Sequence, residues 1–479
     1  MNEILNNALF TDFYELTMAQ GYWKRGVNEH RVVFDYFFRR QPFAGGYSVF
    51  AGLGTLLDAL ESFRFSQADL AYLETLKIFD KGFLDYLGNF KFDGEILSAR
   101  EGELVFPQEP ILRVDGDLVQ AQIVEGLVLN TLNFQSLIAT KSARLWLASG
   151  KGKIMEFGLR RAQGSDGALS ATRAAFIGGA YGTSNTLAGK VFGLPVLGTM
   201  AHSWVMSYTS ELEAFRDYAE IYPTGATFLI DTYNTLESGI CNAIAVGKEL
   251  KAKGHSFGVR LDSGDIDYLS RKVRERLDDA GFQDAKIVVS NELDEAIIEH
   301  LMASKAPIDV WGVGTKLVTG GEESAFTGVY KLAAMQSGAS EKAVMKVSDN
   351  PEKSTNPGRK NLYRLYDDCE TARLDIITLD EEAPVAGTEI IANHPSGDYR
   401  KLSIVPAKVE PLLTKVMAKG AKLAGEPDIN IAQRYMAGRL DSFDTTYLRQ
   451  LNPHVYKVSI SSKLRDLKLG LIKKYLKAR

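Results

Sequence analysis

The residues best suited to chemistry in this chain follow a series of short apolar runs in its middle part. These runs are KIMEFG, LPVLGTMA, ATFLID, FGVRLD, AKIVVSN and IDVWGVG. The residues that close them are charged, amide, hydroxyl, aromatic or glycine residues: Glu156, Phe157, Arg160 and Arg161; His202; Asp231, Tyr233 and Asn234; Arg260, Asp262, Ser263, Gly264 and Asp265; Ser290, Asn291 and Glu292; Gly312, Gly314, Thr315 and Lys316. A single polar strand end is ordinary, but the complete set indicates a functional site.

The cations of this set predict an anionic substrate. It contains three arginines and a lysine, and arginine guanidinium groups match phosphate and carboxylate groups bidentately. The stretch WGVGTKLVT also places Gly312 and Gly314 after a late strand and before a possible helix start. Backbone N–H groups commonly hold phosphate at that position of a barrel. A plain turn remains the alternative for these two glycines.

The carboxylates Asp231, Asp262 and Asp265 leave several roles open. They could hold Mg²⁺, which prefers a few carboxylates together with waters and phosphates. They could equally stabilise a developing positive charge, or pair with Arg160 and Arg260. The sequence has no His/Cys spacing for zinc, no GxSxG nucleophile motif and no GxxxxGK[ST] loop for ATP.

Alternating strands and helices would bring these residues to one edge. Two clear helices, LESGICNAIAVGKELKAKG and LSRKVRERLDDAG, each end at a glycine in the C-cap place. The alternation predicts parallel β/α organisation and a β/α barrel over about 150–380, with VYKLAAM as a further strand. We expect an N-terminal α/β domain over 1–145, the barrel over 146–380 and a C-terminal segment over 381–479 that packs on both.

The two ends of the chain carry other patterns. TDFYELTMAQGYW predicts a helix capped by Thr11 or Asp12, and RVVFDYFFRR predicts a strand. The stretch KVSDNPEKSTNPGRKNLYRL predicts a basic loop. The end, SSKLRDLKLGLIKKYLKAR, predicts an amphipathic helix whose cations suit its C-terminal dipole, with membrane or nucleic-acid binding as the alternative.

The composition is that of an ordinary globular protein, with 45% hydrophobic and 24% charged residues among 479. A formal net charge of −4 gives no electrostatic case for nucleic acid or an anionic membrane. Two cysteines outside any CxxC pair fit a reducing compartment. The first residues lack the features of a signal peptide, and no apolar run approaches the length of a membrane helix. These observations predict a cytoplasmic protein.

The longest motifs resemble one enzyme family. TDFYELTMAQGYW, EFGLRRAQGSDGA, GTMAHSWV, LIDTYNT, GVRLDSGDI and WGVGTKLVT, in this order and spacing, resemble the nicotinate phosphoribosyltransferases from about residue 10 to 370. The resemblance implies a type II phosphoribosyltransferase fold: an irregular β/α barrel with a second α/β domain built mainly from N-terminal residues plus part of the C-terminal ones. It also implies a homodimer with active sites shared across the interface.

The resemblance also implies a reaction. Nicotinate and 5-phosphoribosyl 1-diphosphate would give nicotinate mononucleotide and diphosphate, with Mg²⁺ as cofactor and ATP as co-substrate. This step belongs to the salvage route to NAD called the Preiss–Handler pathway. Glycosyl transfer would be combined with ligase-type coupling to ATP hydrolysis through a phosphorylated histidine.

Carried over by position, His202 would be the phosphorylated histidine, one of only six histidines in the chain. Histidine is a competent phosphoryl acceptor, and its neutral form is available near pH 7. Asp231 would hold the other ring nitrogen and fix the tautomer. A core histidine bonded to backbone is the alternative.

The other implied roles concern substrate binding. Phe157 would stack on the pyridine ring and Tyr14 would cover its other face from the partner subunit, unless Tyr14 is a packing aromatic. Arg160 and Arg260 would serve the nicotinate carboxylate and the diphosphate, in an order left open, and Asp262 would meet the ribose hydroxyls or Mg²⁺. Further expected contacts are Gly314 and Thr315 to the 5′-phosphate, and Lys346, Lys353 and Lys360 of the basic loop to the nucleotide or diphosphate.

Three other functions are the alternatives to this interpretation. The related nicotinamide enzyme carries an aspartate near the position of Ser184; an aspartate would repel a carboxylate substrate, so Ser184 favours nicotinate. A phosphosugar isomerase or aldolase would want a catalytic lysine or glutamate, for which Lys316 and Glu156 are the candidates. A non-catalytic nucleotide-binding protein would not require the complete set of strand-end residues. The roles of Arg39 and Arg40 stay open between phosphate binding across a dimer and a surface ion pair.

Overall fold

The computed structural model describes residues 7–337, 340–348, 354–396, 399–423 and 428–477. The chain folds into two compact units. One, called the split unit, contains the residues up to Leu137 together with those from Ala325 on. The other, called the parallel-sheet unit, is Ile138–Ser324.

The strands and helices are numbered in chain order. The strands are β1 Arg31–Phe38, β2 Ser48–Val49, β3 Glu95–Ser98, β4 Leu104–Val105, β5 Leu112–Asp117, β6 Lys153–Glu156, β7 Gly182–Thr183, β8 Ala226–Leu229, β9 Phe257–Leu261, β10 Lys286–Val289, β11 Val310–Val313, β12 Gly328–Ser337, β13 Ser340–Ala343, β14 Lys360–Tyr366, β15 Ala372–Leu379, β16 Ile390–Asn393, β17 Lys401–Ile404, β18 Lys408–Pro411, β19 Thr414–Ala418, β20 Ala421–Lys422 and β21 Val458–Ile460. The α-helices are α1 Phe13–Lys24, α2 Leu53–Ser62, α3 Gln67–Thr75, α4 Lys81–Gly88, α5 Leu118–Ile123, α6 Glu125–Ala148, α7 Gly164–Ile177, α8 Thr186–Phe192, α9 His202–Met206, α10 Glu211–Ile221, α11 Ile240–Ala252, α12 Ile266–Asp279, α13 Glu295–Ala303, α14 Thr315–Val318, α15 Ile429–Asp441, α16 Thr445–Leu448 and α17 Ser462–Lys477.

The parallel-sheet unit contains six parallel strands in the order β7-β6-β11-β10-β9-β8. From β8 to β11, strands that follow each other in the chain are neighbours in the sheet, and α11, α12 and α13 connect them. Within the described residues the outer strands β7 and β8 do not pair, so the sheet is a curled half-barrel. The predicted β/α alternation is therefore confirmed.

The strands of this sheet are apolar because they are buried on both faces. Ile287, Val288 and Val289, consecutive residues of β10 whose side chains alternate between the two faces, are all buried, as expected for parallel strands covered by helices. The helices between them stop where the sequence predicts. After α12, for example, Gly281 adopts a φ of 84°, the left-handed conformation that ends many helices.

The run LPVLGTMA is not a strand, which corrects the prediction. Val196 makes a single parallel bridge to Thr183 of β7, supported by the Thr183 N–H bond to the Pro195 carbonyl at 3.0 Å. Pro195 has no N–H to donate, which limits pairing on this run. The short strand β7, Gly182–Thr183, was missed because two residues carry no periodic signal.

The run VYKLAAM is a strand but not a barrel strand, a second correction. It lies in β12, which pairs antiparallel with β1 and β13 in the split unit. The rings of Phe34 and Tyr330 stack at 4.7 Å between these two strands. An apolar run predicts a strand but does not indicate which strand it pairs with. Here the pairing strand, β1, lies almost three hundred residues earlier in the chain.

Three sheets make up the rest of the split unit. A seven-stranded antiparallel sheet has the order β13-β12-β1-β5-β3-β19-β20, and a pair joins β2 to β4. A six-stranded sheet has the order β17-β16-β21-β15-β14-β18, in which β15 and β21 are parallel. The strand predicted from RVVFDYFFRR is confirmed as β1 and is buried along most of its length.

Both ends of the chain therefore contribute to one unit. The expected barrel domain over 146–380 is too long, because residues from Ala325 on belong to the split unit rather than to the parallel sheet. The C-terminal residues contribute β14–β21 to the same unit as the N-terminal strands. The predicted second α/β domain, built from N-terminal and C-terminal residues, agrees with this division.

The helices predicted at the chain ends are present. TDFYELTMAQGYW forms α1 with Asp12 at its N-cap position, but the Asp12 side chain makes no capping bond. Thr11 instead donates its hydroxyl to the carboxylate of Glu15 and to the Ile123 carbonyl. The terminal segment forms α17, with Leu464 and Lys468 buried. In the described part of the chain, no helix is long and apolar enough to cross a membrane.

Candidate active site

The predicted site residues of the parallel-sheet unit lie at the carboxyl edge of its sheet. Phe157 follows β6, Asp262 follows β9, Ser290 follows β10 and Gly314 follows β11. Because parallel strands end on the same edge, residues separated by more than a hundred positions come together there. The structure thus brings together most of the residues that the sequence singled out.

Arg260, near the end of β9, is the most heavily bonded of these residues. Its guanidinium donates to the hydroxyls of Ser290 and Thr199, both at 2.9 Å, and to Asp262 Oδ1 at 2.7 Å. The side chain is only 12% exposed. Such a network holds a guanidinium in one orientation, so Arg260 is preorganised to meet an anion.

Phe157 lies under this arginine. The Arg260 guanidinium carbon is 5.5 Å from the centre of the Phe157 ring, within the range of a cation–π contact. The other close neighbour of the ring is Gly312 of β11, where a Cβ atom would lie 2.7 Å from two ring carbons. Gly312 is therefore needed as glycine to leave space for the aromatic ring.

His202 is the first residue of α9, in the segment between β7 and β8 where the sheet is open. Its Nδ1 lies 3.1 Å from the Thr232 hydroxyl, and its Nε2 lies 3.9 Å from Asp262 Oδ2. The side chain is 40% exposed. One ring nitrogen is thus engaged by a hydroxyl, while the other faces a carboxylate with space around it.

Asp231 does not hold His202, which corrects the predicted pairing. Its Oδ2 accepts the Asp262 N–H at 2.8 Å and the Ser263 hydroxyl at 2.7 Å. It therefore fixes the turn after β9, and the next residue, Thr232, turns its hydroxyl towards the histidine. Within the described chain, Asp231 Oδ1 is buried without a hydrogen-bond partner.

The remaining acidic candidates have structural partners. Asp265 is the N-cap of α12 and accepts the Tyr268 N–H at 3.1 Å. Glu156 is buried and accepts bonds from Thr172 at 2.9 Å, Thr183 at 2.6 Å and the Gly158 N–H. A glutamate held in this way stabilises the ends of β6 and β7 and is poorly placed as the general base of an isomerase.

The loops after β10 and β11 form another part of the edge. Asn291 and Glu292 have φ angles of 89° and 39°, a strained conformation for a glutamate. Thr315 donates its hydroxyl to Glu292 at 3.3 Å. Gly314 is the N-cap residue of the short helix α14, so backbone N–H groups at its start are unpaired by the helix itself.

Arg160 and Ser184 lie at the same edge with fewer contacts. Arg160 is exposed on the single turn Leu159–Arg161, directly after Phe157. Ser184 is half-buried and donates its N–H to the Glu156 carbonyl at 2.9 Å. The adjacent Asn185 is buried and caps α8, accepting the Ala188 N–H at 3.2 Å. Ser184 is therefore more accessible than its neighbour Asn185.

The remaining predicted contacts belong to the split unit. Tyr14 of α1 is 47% exposed, and burial followed by Glu125 and Glu15 raises its pKa above the ordinary value, so its hydroxyl stays neutral. Lys346 is exposed, and Lys353 lies outside the described residues. The prediction for Lys360 is wrong, because Lys360 is buried in β14 with its ammonium 2.7 Å from Asp35.

Two hydroxyl residues of the site were missed by sequence reasoning. Thr199 and Thr232 orient Arg260 and His202 respectively. Both lie in stretches that stood out, GTMAHSWV and LIDTYNT. Their only signal was proximity to a charged candidate, because a threonine at a strand end is common and carries no charge.

Comparison with known proteins gives consistent matches along the whole chain. The models described as the nicotinate phosphoribosyltransferase N-terminal domain, family and C-terminal domain match residues 9–133, 152–373 and 359–468. A nicotinate phosphoribosyltransferase of Bacillus subtilis is 43% identical over 455 residues, 95% of this chain and 93% of the relative. One of Caenorhabditis elegans is 35% identical and covers 96% of this chain and 92% of the relative.

Solved structures support the same grouping. The crystal structure of human nicotinic acid phosphoribosyltransferase matches with a TM-score of 0.86 and 30% identity, over 96% of this chain and 99% of that one. A nicotinate-nucleotide pyrophosphorylase from Pyrococcus furiosus matches with a TM-score of 0.70 and 21% identity, over 91% and 95%. The second match concerns the fold alone. Together they confirm the predicted fold class, the type II phosphoribosyltransferase fold.

Proposed function

Because this chain belongs to the nicotinate phosphoribosyltransferase family, we propose that it couples its reaction to ATP hydrolysis through a phosphohistidine at His202. The enzyme is a nicotinate phosphoribosyltransferase, a transferase of NAD biosynthesis. Its substrates are nicotinate and 5-phosphoribosyl 1-diphosphate. The proposal covers the coupling to ATP, the roles of the individual residues and the place of the reaction in the Preiss–Handler pathway.

The observation that carries the proposal is the setting of His202. Thr232 engages Nδ1 at 3.1 Å, and Nε2 faces Asp262 across 3.9 Å. A hydroxyl on one nitrogen favours a single tautomer and leaves the other nitrogen as the nucleophile. Nε2 would attack the terminal phosphorus of ATP, the bond from that phosphorus to the bridging oxygen would break, and ADP would leave. Water would later hydrolyse the phosphohistidine to inorganic phosphate.

The new charge would alter the site around it. A phosphoryl group adds nearly two negative charges at neutral pH. Asp262 faces the histidine and is itself paired with the Arg260 guanidinium. We expect the phosphorylated state to change the affinity for substrate and product. That change in affinity is how the free energy of ATP hydrolysis would drive nucleotide formation.

Arg260 and Phe157 form the centre of the substrate contacts in this proposal. Phe157 would stack on the pyridine ring, and Arg260, already oriented by Thr199 and Ser290, would meet the carboxylate or the diphosphate. Arg160 would take the other anion. Further substrate contacts proposed for the site are Ser184 near the carboxylate, Gly314 and Thr315 at the 5′-phosphate, and Tyr14 and Lys346 from a second subunit of a homodimer.

A magnesium ion would come with the diphosphate. Asp262 fits such an ion, because Oδ1 is bonded to Arg260 and Ser290 while Oδ2 has no hydrogen-bond donor among the residues that the structure describes. In the part of the chain that the structure describes, no group of three or more potential ligands forms a dedicated metal site. Mg²⁺ commonly binds through one or two carboxylates together with substrate phosphates, and it would neutralise charge on the leaving diphosphate.

Displacement of diphosphate from C1 of the ribose requires both substrates to be held in line. Positive charge develops at C1 as the bond to diphosphate breaks, so the site must orient the ring nitrogen and shield the sugar from water. The fixed guanidinium of Arg260 and the ring of Phe157 supply orientation without reorganisation during the step. A cytoplasmic enzyme would meet all three substrates, and we place this one there.

The proposal is tested with purified protein, Mg²⁺ and 5-phosphoribosyl 1-diphosphate, offering nicotinate or nicotinamide with and without ATP. We expect nicotinate mononucleotide from nicotinate, stimulated by ATP, and a stoichiometric label on the protein from γ-labelled ATP. His202→Ala should lose both the label and the stimulation but keep an ATP-independent rate.

His255→Ala is the matched control, because this half-buried histidine precedes β9 at the opposite edge of the sheet. It should retain the label and the stimulation. ATP stimulation that survived in His202→Ala would contradict coupling through this residue. Turnover of nicotinamide in place of nicotinate would contradict the role given to Ser184.

A further inference from the structure

A buried carboxylate lies directly behind the edge of the parallel sheet where the pyridine contacts are proposed. Glu156 is the last residue of β6 and is only 1% exposed. A side chain this buried does not meet a substrate, so any effect on the reaction acts through its neighbours. Burying a carboxylate is costly unless hydrogen bonds satisfy it, and the donors around Glu156 show which segments it holds.

One carboxylate oxygen holds the turn that carries Phe157. Glu156 Oε1 accepts the N–H of Gly158, the residue after Phe157. The Phe157 N–H donates to the Val313 carbonyl of β11 at 2.8 Å. The two N–H groups that flank the Phe157 Cα are therefore both fixed, and together they determine the direction in which the aromatic side chain leaves the backbone.

The same turn packs closely against α14. A Cβ at Gly158 would lie 2.2 Å from Val318 Cγ1, and a Cβ at Gly314 would lie 3.3 Å from the Phe157 carbonyl oxygen. Gly158 must therefore stay glycine, and its bond to the carboxylate comes from the backbone. The contacts of the other carboxylate oxygen are the ones that a substitution can remove.

The other oxygen holds the end of β7, which precedes Ser184. Glu156 Oε2 accepts the Thr183 hydroxyl at 2.6 Å and the Thr172 hydroxyl at 2.9 Å. The Thr183 hydroxyl oxygen in turn accepts the Asn185 N–H at 2.9 Å. Ser184 thus lies between two residues that are joined through the Thr183 hydroxyl, and that hydroxyl is anchored on Glu156.

This side-chain bond is important for β7 because the strand itself is short. It contains two residues and pairs with β6. On its other side, the described part of the chain has one isolated bridge, between Thr183 and Val196. A ladder of this length has few backbone hydrogen bonds, whereas a hydroxyl bonded to a buried carboxylate is stronger than a bond between neutral groups. The Glu156–Thr183 bond therefore fixes the position of Ser184.

We propose that Glu156 is a positioning residue that sets the distance between Phe157 and Ser184, and thereby the affinity for nicotinate. The inference rests on the pyridine contacts proposed for these two residues. One buried carboxylate is bonded to both segments, so neither segment moves without changing the other bond. A pyridine ring stacked on Phe157 would then present its carboxylate to Ser184 at a fixed separation.

Glu156→Gln and Thr183→Val test the proposal by releasing β7 from the carboxylate. Glutamine keeps an oxygen for the Gly158 N–H, but its amide nitrogen cannot accept the Thr183 hydroxyl proton. In steady-state kinetics we expect each variant to raise the KM for nicotinate roughly fivefold or more. The KM for 5-phosphoribosyl 1-diphosphate should stay within about twofold. Thr183→Ser, which retains the hydroxyl, should restore the wild-type KM for nicotinate. Measurement with and without ATP makes the result independent of the coupling.

Thr378→Val is the matched control for a loss of stability. This buried threonine of β15 belongs to the split unit, and its hydroxyl donates to the Leu379 and Glu382 carbonyls. The variant should lower the Tm, as Thr183→Val does, because each loses a buried hydrogen bond. It should leave the KM for nicotinate within about twofold of the wild type.

Ser184→Ala decides whether the effect acts through Ser184. We expect Ser184→Ala to raise the KM for nicotinate, and Thr183→Val to add less than about twofold in that background. Full multiplication of the two effects, or equal rises in both KM values for Thr183→Val, would overturn the inference. A raised KM in Ser184→Ala with an unchanged one in Thr183→Val overturns this inference alone. An unchanged KM in Ser184→Ala contradicts the proposed nicotinate contact and the inference with it. If Glu156→Gln does not fold, the Thr183 variants decide.

Discussion

The Arg260 guanidinium, near the end of β9, is held in one orientation by hydrogen bonds. Its three side-chain bonds go to Thr199, Ser290 and Asp262, which arrive from three different parts of the chain. Each bond to a charged group contributes more than one between neutral groups, and together they remove the rotamer freedom of a long side chain. The arginine can then bind an anion without losing that entropy at the moment of binding.

His202 was singled out by the sequence, but its partner was not. The resemblance implied Asp231, which follows β8, the next strand along the chain after His202. The turn after β8 instead aims Asp231 at the backbone of Asp262 and aims the next residue at the histidine. Neighbouring residues in a turn direct their side chains differently. The residue types alone do not predict which of the two will contact the histidine.

Thr232→Val provides the residue-scale prediction. Valine keeps the volume but removes the hydroxyl on His202 Nδ1, so the ring loses its fixed tautomer and orientation. We expect labelling of the protein by ATP to fall roughly tenfold, as for other residues that orient a histidine, with little change in the ATP-independent rate. Thr232→Ser should restore labelling, and Thr227→Val, in β8, the strand that precedes Thr232, should behave as wild type. Undiminished labelling in Thr232→Val would show that another group positions the ring.

At the scale of elements, five of the predicted barrel strands were correct because each is a short apolar run between helical stretches. These are β6, β8, β9, β10 and β11. Local sequence decides that such runs are extended and buried. It does not decide which run lies beside which, since pairing is a long-range property. The prediction that VYKLAAM is a strand was therefore correct, but the prediction that it belongs to the barrel was wrong, because it pairs with β1.

The close packing of β6 against β11 gives the element-scale prediction. Gly312→Ala would place a Cβ 2.7 Å from ring carbons of Phe157 and 3.3 Å from the Cβ of Ser290. We expect the ring to move, the KM for nicotinate to rise, and the free energy of unfolding to fall by about 1–3 kcal/mol. Gly167→Ala is the control, because a Cβ there would meet nothing within 4 Å.

Steady-state kinetics and urea unfolding of both variants measure these effects. Replacing Phe157 by leucine in the Gly312→Ala background should recover part of the stability, because the smaller side chain gives way. An unchanged KM in Gly312→Ala would mean that the ring position is not important for nicotinate binding. That result would contradict the stacking role proposed for Phe157.

At the scale of the whole molecule, buried ion pairs join the first part of the chain to the last part within the split unit. Arg364 is completely buried and contacts Glu103 at 2.5 Å and Asp375 at 2.7 Å. Arg439 contacts Glu103 at 2.8 Å and Glu410 at 2.5 Å. Removing one partner would leave an uncompensated buried charge. Because Glu103 is separated from its partners by more than 250 residues, no local pattern in the sequence could predict the division into units.

A buried carboxyl of the split unit makes its stability depend on pH. Burial is the main cause that raises the pKa of Glu15 to about 7 from an ordinary value of 4.5, and Oε1 has no hydrogen-bond partner among the described residues. Below about pH 4.5 both the folded and the unfolded chain carry the proton, so there is no contribution. Between that pH and about 7 only the folded chain keeps it, so the free energy of unfolding falls as the pH rises.

Glu15→Gln should remove this dependence, since glutamine does not titrate. A shift of this size corresponds to about 3 kcal/mol at most, so the variant should gain about 1–3 kcal/mol over the wild type between pH 5 and pH 8. Urea unfolding at both pH values measures the gain. Glu74→Gln, an exposed glutamate in α3, should give no difference between them. A gain for Glu15→Gln that is equal at pH 5 and pH 8 would mean that Glu15 is ionised in the folded protein throughout this range, and that its burial does not keep it protonated.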